Sequence, residues 1–174
     1  MKQAPLRAEL RIRLLDESDR PLYQQLYGDD TTMHHVGPPL DATKAARSFV
    51  AACRMNRVAP PKGRFWVIED DRAGLALGLI GLHWDAPASA ELGVILPPER
   101  QGQGIATAAI RCLLPTAFEK LGLERLHTWH AADHGLAGGL MASLGFEALK
   151  VQTGRAGRCW QLTASQWRTN DGRP

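Results

Sequence analysis

Little in this chain favours a disulfide-stapled, membrane-spanning or nucleic-acid-binding protein. Its three cysteines, Cys53, Cys112 and Cys159, are odd in number and lack the paired spacing of a metal site. That argues against both a disulfide framework and a metal module, and for a reducing compartment. No apolar stretch approaches the length of a membrane span, and the amino terminus has no apolar leader, so neither a span nor a signal peptide is read and the cytoplasm is the expected location. Neither sign of charge dominates, with 21 basic against 18 acidic residues. The formal net charge is +3 and the basic residues are scattered, so nucleic acid is not an expected partner, although a polyanionic ligand would be favoured by the field. His34 and His35 adjoin in a turn, but no metal-ligand constellation surrounds them.

What the chain does have is one stretch around which the rest is organised. The apolar run Leu92-Gly93-Val94-Ile95-Leu96 stops at Pro97-Pro98 and gives way to Glu99-Arg100-Gln101-Gly102-Gln103-Gly104-Ile105-Ala106. A short, branched, proline-bounded run reads as a buried strand, while Ile105, Ala109, Leu113 and Ala117 recur every four residues as one helix face. Between them, Gly102 and Gly104 let a ligand approach the main chain, and the first-turn N–H groups point outward with the helix dipole behind them. Such a turn seats an anion, most naturally phosphate. Two nucleotide readings fail, because the dinucleotide fingerprint needs glycine where Thr107 stands and the phosphate loop needs a Gly-Lys-Ser/Thr ending.

The pattern that remains, Gln101-x-x-Gly104-x-Ala106 after a strand ending in prolines, resembles the Gln/Arg-x-x-Gly-x-Gly/Ala motif of the GNAT superfamily of N-acetyltransferases. The opening, with Leu10-Arg11-Ile12-Arg13-Leu14-Leu15 and Leu26-Tyr27-Gly28-Asp29-Asp30-Thr31-Thr32-Met33, looks like the ribosomal-protein N-terminal acetyltransferase (RimJ/RimL-like) branch. Leu162-Thr163 and Gln166-Trp167 near the end are similar to the family as well. The resemblance implies acetyl-CoA as co-substrate and no metal. It implies that Gln101, Gly102, Gln103, Gly104, Ile105, Ala106 and Thr107 hold the pyrophosphate. The pantetheine arm would run along the backbone of Val94, Ile95 and Leu96, with His134 also on the cofactor side. The partners expected are acetyl-CoA and an amine acceptor, with a monomer or homodimer as the assembly.

The remainder reads as one domain, with residues 1–174 as its extent and about 9–167 as its core. The 174 residues are of single-domain size, and 44% hydrophobic content can build a full interior. Residues 9–14 alternate as a strand, Asp16 to Asp19 offers helix caps, and a first helix runs to Gly28. Asp41 caps a second helix through about Met55 with Ala45, Phe49, Ala52 and Cys53 as its apolar face. Strands follow near 64–68 and 75–84. A five-residue loop, 85–89, would pair Trp84 with Ala90 and set His83 opposite Glu91. Pro115 should kink or end the central helix, and Cys112 should be packed inside it. A strand at 125–130, a short helix at 135–144 and strands near 147–152 and 158–162 complete an α/β (α+β) order, β-α-α-β-β-β-α-β-α-β-β. This is the GNAT acyltransferase order, with a mixed, mostly antiparallel sheet flanked by helices.

Acetyl transfer to an amine needs a base for the ammonium proton, donors for the oxyanion and help for the departing thiolate. Glu91 is the candidate base, by resemblance to the family glutamate at this strand, and His83 is its candidate partner across the hairpin. A solvated strand carboxylate is the bland alternative. Met33, His34, His35 and Trp84 are expected on the acceptor side, since loops on a rigid scaffold carry specificity. The acid has no clear candidate: the related branch has Asn-x-x-Ser where this chain reads His134-Gly135-Leu136-Ala137, leaving His134, a water or no dedicated group. A small amine-bearing metabolite or antibiotic is the expected acceptor. The alternatives are a protein or peptide amino terminus and, in another class, a non-catalytic acyl-CoA-binding module.

Overall fold

The computed structural model describes residues 9–132, 134–150 and 157–170. Its strands are β1 (Leu10–Leu14), β2 (Gly63–Asp70), β3 (Leu75–Ala86), β4 (Ser89–Ile95), β5 (Arg125–His130), β6 (Glu147–Leu149) and β7 (Arg158–Thr163). The helices are α1 (Arg20–Gly28), α2 (Asp30–Met33), α3 (Ala42–Met55), α4 (Ile105–Pro115), α5 (Gly135–Ser143) and α6 (Ala164–Asn170). One seven-stranded sheet runs β1-β2-β3-β4-β5-β7-β6, antiparallel at every join except β4–β5, which is parallel.

The period of two along each strand divides the core between the sheet faces. On one face Phe65, Val67, Leu79 and Ile95 meet Tyr23 and Leu26 of α1 and Phe49, Ala52 and Cys53 of α3. On the other, Ile80, Leu82, Leu92, Leu126 and Leu162 meet α4 through Ile105, Ala109 and Leu113, with Met141 of α5 and Trp167 of α6 beside them. The predicted stripes of α3 and α4 are therefore the buried ones. Side chains take up free amides ahead of the helices on the α1/α3 face: Asp41 accepts from Lys44 N–H at the start of α3, and Asp16 and Asp19 cap one another's turn before α1.

Several boundaries differ from the sequence reading. The hairpin joining β3 to β4 turns through Pro87-Ala88 alone, with a register shift between Trp84 and Ala86, because pairing persists to Ala86–Ser89. β4 consequently begins at Ser89 rather than at Ala90, and Glu91 is its third residue. After Pro115, which has no N–H to give, the chain continues as a π-helical turn, Thr116–Lys120, in which the Leu121 amide reaches back to Thr116 C=O. Cys112 lies on the exposed side of α4, its thiol directed at Leu10 C=O, rather than inside the helix packing. β6 is shorter than expected; the rest of its predicted span, 151–152, lies outside the described residues. The helix α6 was not anticipated; Thr163 and Gln166 bond reciprocally across its start.

Candidate active site

The site begins where β4 and β5 part. Their parallel pairing covers only Ser89–Arg125, Ala90–Leu126 and Glu91–His127, and beyond this rung the strands diverge as a fork. The Leu92 carbonyl, the next group on β4 facing β5, accepts from the buried Thr128 hydroxyl at 2.8 Å. By the alternation of a strand, Val94 also turns its N–H and C=O toward the fork, where the β5 ladder no longer reaches. Leu96 C=O is taken by the side chain of Gln101 at 2.9 Å. Of the predicted groove residues, Ile95 turns its side chain into the α1/α3 core and Leu96 into the α4 core. The backbone of Val94 is the groove-facing element.

The glycine turn lies at the end of that fork. Gly102 and Gly104 hold φ of +71° and +79°, a left-handed region that disfavours residues with a Cβ, and nothing lies within 4 Å of where a Cβ would stand on either. Gly104 is the N-cap of α4, and no side chain caps the first turn, so the N–H groups of Ile105, Ala106 and Thr107 open the helix toward this space. Gln101 and Gln103 fold back onto Leu96 C=O and Glu99 C=O, which fixes the turn without filling it. The residues thus suit a pyrophosphate: bare amides, a helix dipole and no side chain in the way. Ile105 itself points into the core.

On the α1/α3 face the last paired rung carries three chemically active residues in a row. His83 of β3 stands opposite Glu91, and Glu91 stands opposite His127 of β5. Matched residues share a face with Cβ atoms roughly 5 Å apart, so a carboxylate is flanked by two imidazoles. His127 was not foreseen. Its signal was present in the alternation of 125–130, but only the strand order places it beside Glu91. His127 Nε2 also lies 3.6 Å from Asp85 Oδ2, and the His83 ring packs edge-on against Phe65. Gly93, two residues on, leaves that face open beside Glu91. Trp84 is not brought to this group; it turns to the opposite face and packs against the α4 core.

The segment after α1 supplies the facing wall. A cleft of about 500 Å³ is lined by Asp30, Thr31, His34 and His35 on one side and by Pro98 and Gln101 on the other. The two predicted histidines and the approach to the glycine turn therefore share one opening. Met33 is instead buried and anchors α2, whose N-cap Asp29 binds the Thr32 amide. The His35 ring packs at 4.4 Å on that of His134, which precedes α5. His130 takes the Trp160 indole N–H on Nε2 at 2.9 Å and contacts Ala131 C=O through Nδ1, so its proton is held on Nδ1. The tyrosines lie between α1 and α3, Tyr23 bonded to Ser48 and stacked on Tyr27, with burial raising both phenols above their ordinary pKa. Among the described residues no group of three or more His, Cys, Asp or Glu could hold a metal, and no helix is long and apolar enough to cross a membrane.

A forked mixed sheet with a bare helix start at the fork is the architecture of an acyl-CoA-dependent acyltransferase. The profile of the acetyltransferase (GNAT) domain matches residues 9–147, and the chain belongs to this family. It is an N-acetyltransferase by that membership, with acetyl-CoA as co-substrate. No curated protein matches it by sequence. Among solved structures it is similar to spermidine N-acetyltransferase from Vibrio cholerae in complex with CoA and spermine, at 22% identity and a TM-score of 0.76, over 91% of this chain and 97% of that one. A dodecameric structure of the same enzyme matches at 20% identity and a TM-score of 0.72, over 92% and 97%.

Proposed function

We propose that this protein transfers acetyl from acetyl-CoA to the primary amine of a small molecule by direct attack in a ternary complex. The observation that carries this reading is the single cleft in which Asp30, Thr31, His34 and His35 face Pro98 and Gln101 of the glycine turn. The amine nitrogen forms a bond to the thioester carbonyl carbon, the C–S bond breaks, and the departing thiolate takes up, directly or through water, the proton that the attacking nitrogen sheds after bond formation, so that CoA leaves as its thiol. Glu91, between His83 and His127, receives the ammonium proton directly or through a water. The Val94 amide, turned toward the fork, donates to the developing oxyanion. The first turn of α4 seats the pyrophosphate.

Asp30 places a carboxylate on the cleft wall, which favours an acceptor that carries a positive charge. Polyamines, to which the similar structure in complex with spermine points, therefore head the panel that tests the reading. Thiol release from acetyl-CoA is measured with spermidine, spermine, simple diamines, amino sugars and peptides with free amino termini. Turnover is expected with one or more of the small amines. Release with peptides alone would transfer the assignment to amino-terminal acetylation. Acetyl-CoA binding without release on any amine would make the chain a non-catalytic acyl-CoA module.

A further inference from the structure

The fork between β4 and β5 has no cause in β4 itself. Register between β3 and β4 is unbroken from Leu79–Ile95 to Trp84–Ala90, so no bulge pushes β4 away from its parallel neighbour. The change lies on β5. In a parallel ladder carried one residue further, Leu92 C=O would receive the backbone N–H of Trp129. It receives the Thr128 hydroxyl instead, at 2.8 Å, and Thr128 is 8% exposed. A side-chain donor has taken the place of a backbone donor. The carbonyl is satisfied without the strands closing to ladder distance, so the separation begins at this residue and Val94, two positions on, is left facing the gap.

We propose that Thr128 is a positioning residue that holds the β4–β5 fork open for the pantetheine arm of acetyl-CoA. It touches neither the acetyl group nor the acceptor; it acts through Leu92 on the placement of the Val94 backbone. Without the hydroxyl, a buried carbonyl loses its partner, and the least costly repair is to draw β5 in until an amide reaches it, which narrows the gap. The inference rests on the reading that the pantetheine arm lies in the fork while the nucleotide end lies on the glycine turn. Those two halves of the ligand are separable experimentally.

Calorimetry with CoA and with adenosine 3′,5′-bisphosphate, which lacks the arm, tests both layers on the full chain. Wild type is expected to bind CoA more tightly than the bisphosphate. Equal affinities, or no CoA binding, would refute the cofactor reading and the Thr128 role with it. Thr128→Val keeps the shape without the hydroxyl, and should weaken CoA about tenfold, the scale of one unsatisfied buried group, with bisphosphate affinity unchanged. Thr128→Ser restores the hydroxyl and should restore CoA affinity. Should Thr128→Val not fold, Thr128→Ala is read by the same criteria. Unchanged CoA affinity in the hydroxyl-less variant, equal weakening of both ligands, or a Thr128→Ser loss as large as that of Thr128→Val would each overturn the role while leaving the acetyltransferase reading in place.

Discussion

At the scale of single residues, what sets Glu91 apart is its company. An isolated strand carboxylate is usually solvated, whereas here two imidazoles stand at the matched positions of the neighbouring strands. If Glu91 is the base, Glu91→Gln lowers turnover near neutral pH by about 10²–10⁴-fold, and the deficit shrinks as alkaline pH deprotonates the amine itself. A pH–rate profile on the true acceptor checks this; a variant within about twofold of wild type throughout leaves Glu91 a structural residue. Elsewhere charge serves the fold. Buried Glu69 receives Arg11 at 2.9 Å and Arg13 at 2.6 Å, and Arg13 also binds buried Asp19. Burial works against the Glu69 charge, but the two guanidinium groups outweigh it and hold its pKa below the usual glutamate range. A depressed carboxyl pKa stabilises the fold above its unfolded value, about 4.3, and that contribution is lost as pH falls through the lower folded value. Thermal melts in acid should therefore show Glu69→Gln less stable than wild type at neutral pH but with a shallower decline below about pH 4.

At the scale of elements, the glycine turn and α4 form one device. Gly104 sits at φ +79° with open space beyond, so a side chain there meets solvent or ligand rather than protein. Gly104→Val should cost roughly 1–2 kcal/mol of stability, the penalty of a left-handed residue with a Cβ, while abolishing detectable CoA binding if, as proposed, the pyrophosphate sits against this turn. Calorimetry beside a thermal melt separates the two effects, and undiminished binding counts against this seat. The strand β1 is held as much by charge as by apolar contact. Removing its central cation in Arg13→Ala leaves two buried carboxylates short of a partner and should cost about 3 kcal/mol by denaturant titration.

At the scale of the whole molecule, the segment from Asp29 to the Pro38-Pro39 turn borders the cleft, and its His35 packs on His134 ahead of α5. Replacing His34 and His35 together by alanine should raise acceptor KM or alter acceptor preference with acetyl-CoA affinity nearly unchanged; equal effects on both substrates, or on neither, would remove them from the acceptor wall. The chain's local chemistry settled much of this in advance. The stripe Ile105, Ala109, Leu113, the Asp41 cap and the Gly102/Gly104 turn were legible because helix period, capping and positive φ are properties of neighbouring residues. The opposition of His83 and Glu91 was legible too, since one hairpin fixes it; the true turn is shorter than the one expected, yet Trp84 still meets Ala90. The direction of Trp84 and Met33, the exposure of Cys112, the placement of His127 beside Glu91 and of Thr128 beneath Leu92 were decided only by tertiary structure. Those depend on which strands become neighbours across more than thirty residues and on which face each helix covers, and periodicity within a segment carries no information about its partner.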